Sequence, residues 1–337
     1  MDIMRFCFFL FLVSFLLNSN LSTARADELV PPNLFNIGDS IGEAEAANNV
    51  IGSHHHDTVW STGYDPSDSV ISFNERFAGL CPSTFQQNDS TMDQYFNQAI
   101  TGSDMSDFAD QAANIITSAR QTEVGRAGMI TVYLGNNDAC SSTLEGMTSA
   151  ADFEYFYRTG LDVLTGATET QQAIIHVSAI PAIYWLWEAL RNNEWCLFTW
   201  QFVPCENLLD NPMNDCGTGE SHLDPDTIHA DDGPNCIRRK EVHAMIRDVY
   251  NPILKNVLHE YIQDGRLPNA YFNDIFGIQF EAEHINTGDC FHPSVKGQAF
   301  LAQNQWEQSP WADSPPVCTE TQKGPVLAPW LYLLLFD

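Results

Sequence analysis

Basic residues are scarce. The 337-residue chain has 15 Lys plus Arg against 44 Asp plus Glu, a formal net charge of −29. That balance repels nucleic acid and anionic membrane surfaces at long range, so no nucleic-acid partner is expected. It favours solubility and suits a salty medium, where screening relieves self-repulsion. No apolar run reaches the ~20 residues that a membrane-spanning helix needs. No two cysteines have CxxC spacing, which argues against a zinc site built from cysteines. No internal repeat stands out and no long Pro/Gly/Ser linker divides the middle of the chain, so one domain is the simplest organisation.

The two ends carry the longest apolar runs. Arg5 precedes CFFLFLVSFLL, and Ala24-Arg25-Ala26 follows with small residues at the spacing a signal peptidase reads. Residues 1–26 are therefore expected to be a secretory signal removed near Ala26, with an uncleaved N-terminal anchor as the alternative. The mature chain, 27–320 apart from its tail, is long enough for one large α/β domain. Residues 321–337 include the apolar stretch PVLAPWLYLLLFD. It leaves three readings open: packing on the domain, contact with a membrane surface, or the tail of a lipid-anchor signal. Besides Cys7 in the leader there are eight cysteines, at 81, 140, 196, 205, 216, 236, 290 and 318. An even number in an exported chain implies up to four disulfides, whose pairing the sequence does not fix. Asn88-Asp89-Ser90 is a glycosylation sequon, meaningful only in a eukaryotic source.

Strand and helix signals alternate along the chain. Leu34 to Ile37, Gln94 to Ile100, Met129 to Leu134, Ala173 to Ile180 and Asn269 to Ile275 read as strands. Ser103 to Arg120 has a helical apolar face at Phe108, Ala112, Ile115, Ile116 and Ala119, with Ser103 or Asp104 as its cap. Ala151 to Leu164 reads as a helix, and Ile237 to Ile262 as a longer one kinked by Pro252. Pro293 is expected at the first position of a last helix, in SVKGQAFLAQNQW. Such alternation predicts a parallel sheet covered on both faces, with ligands bound outside the carboxyl ends of its strands.

Those ends carry the reactive residue types. Residues 38–42, Gly-Asp-Ser-Ile-Gly, place Ser40 in a tight turn after a strand. Taken alone, Gly-Asp-Ser is an ordinary turn. A serine hydroxyl becomes a nucleophile when a base takes its proton, and the base needs an acceptor on its other ring nitrogen. Asp289 and His292, three residues apart in DCFH, supply both partners. An oxyanion needs a backbone N–H free of bulk and a donating amide, and Gly102 and Asn137 meet those needs. An α/β-hydrolase elbow fits poorly. There the nucleophile follows several strands and the acid and histidine come from separate loops.

Four blocks in order resemble the SGNH (GDSL-type) hydrolases: FNIGDS with Ser40, NQAITGSDM with Gly102, LGNNDAC with Asn137, and GDCFHPSVKG with Asp289 and His292. The likeness spans about residues 33–307 and is nearest, loosely, to the phospholipase B and lipase branch. Ile41 stands where the family often has Leu. The resemblance implies a three-layer α/β/α sandwich with a flavodoxin-like parallel sheet. It also implies a secreted esterase or lipase acting through a serine acyl-enzyme on a small-molecule or lipid ester. Ser40, His292 and Asp289 would be the triad, with Ser40 N–H, Gly102 N–H and the Asn137 amide as the oxyanion hole. No cofactor and no metal are implied. Two other readings stay open: a carbohydrate O-acetylesterase, and a secreted binding protein that keeps the fold.

Other segments are read with that site in mind. Residues 183–205, with four tryptophans, form either core or an acyl-chain wall or lid. They open a Cys- and Trp-rich insertion, about 181–236, in which Val203 to Pro234 would need disulfide staples. His54-His55-His56-Asp57 suggests a metal site, but consecutive residues point in different directions, so a polar loop near the site mouth is expected. His176 is expected in the core. His222, His229, His243 and His284 have no partner spacing that stands out. Asp138 is expected to stabilise a turn without a catalytic role.

Overall fold

The computed structural model describes residues 29–67, 69–141, 143–202, 205, 215–312 and 318. The expected leader, the apolar tail and much of 203–214 lie outside them. Four strands form one all-parallel sheet: β1 Leu34–Gly38, β2 Met129–Tyr133, β3 Ile174–Ser178 and β4 Tyr271–Asn273, side by side in that order. Leu34 lies opposite Met129, and Met129 opposite Ile174, so the first three strands start level.

A fifth segment runs along the free edge of β1. Asn97 bridges Asn36 in parallel, Gln98 N donates to Asn36 O at 2.9 Å, and Ile100 N to Gly38 O at 3.2 Å. With this segment counted as a strand the chain order is 2-1-3-4-5, the flavodoxin-like order. The strand expected over Gln94 to Ile100 is thus shortened at its start. Asp93–Phe96 is a helical turn, set up when the Asp89 carboxylate accepts from Thr91 N and Met92 N.

Alternation along the strands feeds two cores. Phe35, Ile37, Ile130, Val132, Ile175 and Val177 point to one face, while Leu34, Met129, Tyr133 and Ile174 point to the other. Helices α1 (Phe73–Leu80), α2 (Phe108–Ala119), α3 (Ala150–Gly166), α4 (Tyr184–Leu190), α5 (Glu194–Thr199), α6 (Pro234–Met245), α7 (Asn251–Gln263) and α8 (Val295–Glu307) cover them. α1 and α8 contribute to the second core and the others with buried apolar residues to the first, giving three layers. α1 begins with a Ser72–Glu75 capping box. α2 and α3 pack closely because residue 160 is glycine: a Cβ there would sit 2.2 Å from the Phe108 ring.

Two helix expectations are corrected. The 237–262 helix is divided by a π-turn, Ile246–Tyr250, just before Pro252, whose missing N–H leaves no donor for the regular ladder. Pro293 does not open α8. Ser294 is its N-cap, accepting from Gly297 N, and Pro293 bridges Ile285. The sequon is closed as well: Asn88 is buried, and its amide donates to Thr62 O at 2.8 Å and Asp93 Oδ1 at 3.0 Å. The cysteines pair as 81–318, 140–205, 196–290 and 216–236.

Candidate active site

β1 ends at Gly38, and a buried glutamine grips that residue. Gly38 N donates to Gln111 Oε1 and Gln111 Nε2 donates to Gly38 O, both at 2.9 Å. The turn that follows closes on Asp39, whose Oδ1 accepts from Ile41 N at 2.9 Å. On α8, Gln298 Nε2 holds Ile41 O at 2.9 Å. Ser40 is therefore fixed on both sides by backbone–amide contacts from α2 and α8.

The loop before α8 brings the other partners. His292 Nε2 lies 2.8 Å from Ser40 Oγ, and His292 Nδ1 lies 2.8 Å from Asp289 Oδ2. Asp289 Oδ1 accepts from Asn286 Nδ2 at 2.6 Å, Phe291 N at 2.8 Å and His292 N at 3.1 Å. This tight loop needs a left-handed residue, Cys290 at φ 57°. Cys290 is tied to Cys196 of α5 by a disulfide, and its carbonyl accepts from Trp200 Nε1 at 2.8 Å.

The electrostatics follow from burial and charge. Burial alone would raise Asp289, but the hydrogen bond and charge of His292 and two backbone N–H groups outweigh it and hold the carboxyl below its usual range. Burial alone would lower His292. Asp289, then Glu45 and Asp39, outweigh that and raise the imidazole above its ordinary value. Asp39, fully buried, is pushed up to about 6, although Asn136 Nδ2 donates to its Oδ2 at 2.9 Å.

The expected oxyanion residues divide. Asn137 lines the cleft with Ser40 and His292, and one of its amide hydrogens is fixed on Ser103 O at 2.8 Å. Gly102 sits at an exposed turn with φ +84° and does not line the cleft. Its neighbour Thr101 is bound to the Ser40 loop, donating from N at 2.6 Å and Oγ1 at 2.5 Å to Glu43 Oε2. Asp138 Oδ2 accepts from Met105 N at 2.8 Å and joins the Asn137 turn to the helical turn that leads into α2. Burial raises Asp138 to about 6. The turn itself depends on Gly135, at φ +111°, where a Cβ would come within 2.5 Å of Ile180.

Sequence reasoning missed Asp39, Glu45 and Asn136. Asp39 stood inside the Gly-Asp-Ser stretch, and Glu45 five residues beyond Ser40. Glu45 Oε2 is 3.7 Å from His292 Nε2, beside the hydroxyl. His176 is in the core as expected, held at Nε2 by Gln305 Oε1 at 3.0 Å and lowered to about 3 by burial.

The cleft over Ser40 has about 640 Å³ of empty space, part of it open to solvent. Ile41, Pro181, Ile183, Leu186, Ile285 and Phe291 give it an apolar wall. The described part of the 183–205 segment divides between core, cleft lining and surface. Ile183 and Leu186 face the cleft, Trp187 and Trp200 are core, and Trp195, Phe198 and Phe202 are exposed. No helix among the described residues is long and apolar enough to cross a membrane. No curated protein matches the chain. A family model described as GDSL-like Lipase/Acylhydrolase matches residues 34–304.

Proposed function

The chain belongs to the GDSL-like lipase/acylhydrolase family and is an ester-bond hydrolase, and on that footing we propose that it is an exported esterase or lipase acting through an acyl-enzyme on Ser40. The observation that carries the reading is the line from Ser40 Oγ to His292 Nε2 to Asp289, 2.8 Å at each step. Ser40 Oγ attacks the ester carbonyl while His292 Nε2 takes its proton. Asp289 accepts the Nδ1 hydrogen, so the lone pair of Nε2 faces the hydroxyl. The Ser40 N–H, the Gly102 N–H and the second Asn137 amide hydrogen would receive the oxyanion, Gly102 by a local adjustment of its exposed turn. His292 then gives its proton to the departing alcohol, and water repeats the sequence on the acyl-enzyme.

The apolar wall supports an acyl chain longer than acetyl, hence a lipid-type ester over an acetylated glycan. Four cysteine pairs support an oxidising compartment and therefore export. The Cys81–Cys318 link and the span of the family match support one hydrolase domain over 27–320.

A p-nitrophenyl ester panel from acetate to long acyl chains tests the reading. Wild type is expected to prefer chains beyond acetate and to be labelled at Ser40 by a serine-directed phosphonate. Ser40→Ala should lose on the order of 10⁵-fold or more in kcat while folding normally. Full turnover in that variant overturns the assignment.

A further inference from the structure

We propose that Glu43, His54 and His56 form a binding site for a divalent first-row cation, zinc being the ion tested, beside the cleft. Glu43 Oε1 lies 3.4 Å from His54 Nδ1 and 3.8 Å from His56 Nε2, and all three ligand atoms lie within 4.8 Å of one another. Ligands at about 2.0–2.2 Å around a tetrahedral zinc stand roughly 3–4 Å apart, so a small contraction closes the set. The two rings are stacked, 8° from parallel. His54 and His56 share a side of the loop while His55 turns elsewhere, to Ser53 Oγ at 3.1 Å.

Each ligand is held from behind. His56 Nδ1 bonds Asp93 Oδ2, and Asp93 Oδ1 accepts from Asn88 Nδ2 at 3.0 Å. Glu43 Oε2 accepts twice from Thr101, whose hydroxyl also stands 3.4 Å from His54 Nε2. These outer partners leave His56 Nε2, His54 Nδ1 and Glu43 Oε1 facing a common point, the usual support of a metal-bound imidazole. His56 Nε2 is buried there without a hydrogen-bond partner. Two imidazoles and one carboxylate suit zinc and its neighbours, whereas calcium and magnesium need oxygen sets. Three protein ligands leave a fourth position for water. The only comparable cluster among the described residues, Cys216, Asp232 and Cys236, is closed because its two thiols form a disulfide.

The ion would lock two loops together. Thr101 Oγ1 also lies 2.9 Å from Glu45 Oε2, and Glu45 approaches His292. A cation on Glu43 would fix the Ser40 loop against the Thr101–Gly102 turn, a positioning effect outside the ester chemistry.

The test uses the full secreted chain, freed of metal by a chelator and titrated with zinc by calorimetry, with bound metal counted by elemental analysis. One equivalent is expected, together with a zinc-dependent rise in Tm. His55→Ala should keep both. His54→Ala and His56→Ala should each weaken binding at least about tenfold, and the double variant should lose the equivalent and the Tm response while keeping the wild-type circular dichroism. Absence of a bound equivalent, or one that survives in the folded double variant, overturns the site. Neither readout depends on Ser40, so failure here leaves the hydrolase reading intact.

Discussion

His292 is bordered by three carboxylates, Asp289 at Nδ1, Glu45 near Nε2, and Asp39 behind the Ser40 turn. Each stabilises the imidazolium, so the imidazole becomes neutral only above its ordinary 6.5, and on the proposed roles it is the general base. The acid limb of kcat/KM should therefore have its midpoint above that value. Glu45→Gln removes one of the three charges. The midpoint should move to lower pH, with little loss of rate on the alkaline plateau. A profile identical to wild type would show that Glu45 does not reach the imidazole. At this scale the sequence was partly legible. That Ser40, Asp289 and His292 would meet could be read, because a nucleophile needs a base and the base an acceptor, and two of the three lie three residues apart. Asp39 and Glu45 could not, since what they do depends on burial and on distances across the fold. The rule that consecutive side chains diverge holds for His55, but alternate residues return to one side, which brings His54 and His56 together.

Elements are joined around the site by side chains with no sequence signature. The Gln111 grip on Gly38, the Gln298 contact to Ile41 O, and the Asn251 pair with Ile180, at 2.8 and 3.0 Å, each satisfy backbone groups at a strand end. Strands with β-branched runs, such as β2 and β3, were legible, as was the span of α3. The helical start of the edge segment, the π-turn and the α8 cap were not, because the Asp89 carboxylate, the missing N–H of Pro252 and the Ser294 hydroxyl settled them locally. The pairing of eight cysteines was also out of reach of sequence. Cys196–Cys290 ties the His292 loop to α5 across a separation of 94 residues. By loop-closure entropy such a link contributes about 4–5 kcal/mol at most. Replacing both cysteines by alanine should lower Tm, and should lower kcat more than replacement of Cys216 and Cys236, whose link to α6 does not include the His292 loop. Equal effects of the two pairs on kcat would remove the special role of the loop tether.

For the molecule as a whole the dominant quantity is charge. At −29 the chain repels itself, and screening shortens the reach of that repulsion from about 30 Å at 0.01 M salt to about 3 Å at 1 M. Tm in sodium chloride should rise steadily over this range, as scanning calorimetry would show. A flat or falling curve would mean that local ion pairs, not net repulsion, govern stability. The fold class was legible at this scale from strand–helix alternation and the order of four short blocks. The course of the insertion was not, since its aromatics divide among core, cleft wall and surface.

Ser40 and His292 stand 252 positions apart. A ribosome delivers the hydroxyl long before the imidazole. On the proposed assignment, a polypeptide that stops between these two positions has no means of cutting esters.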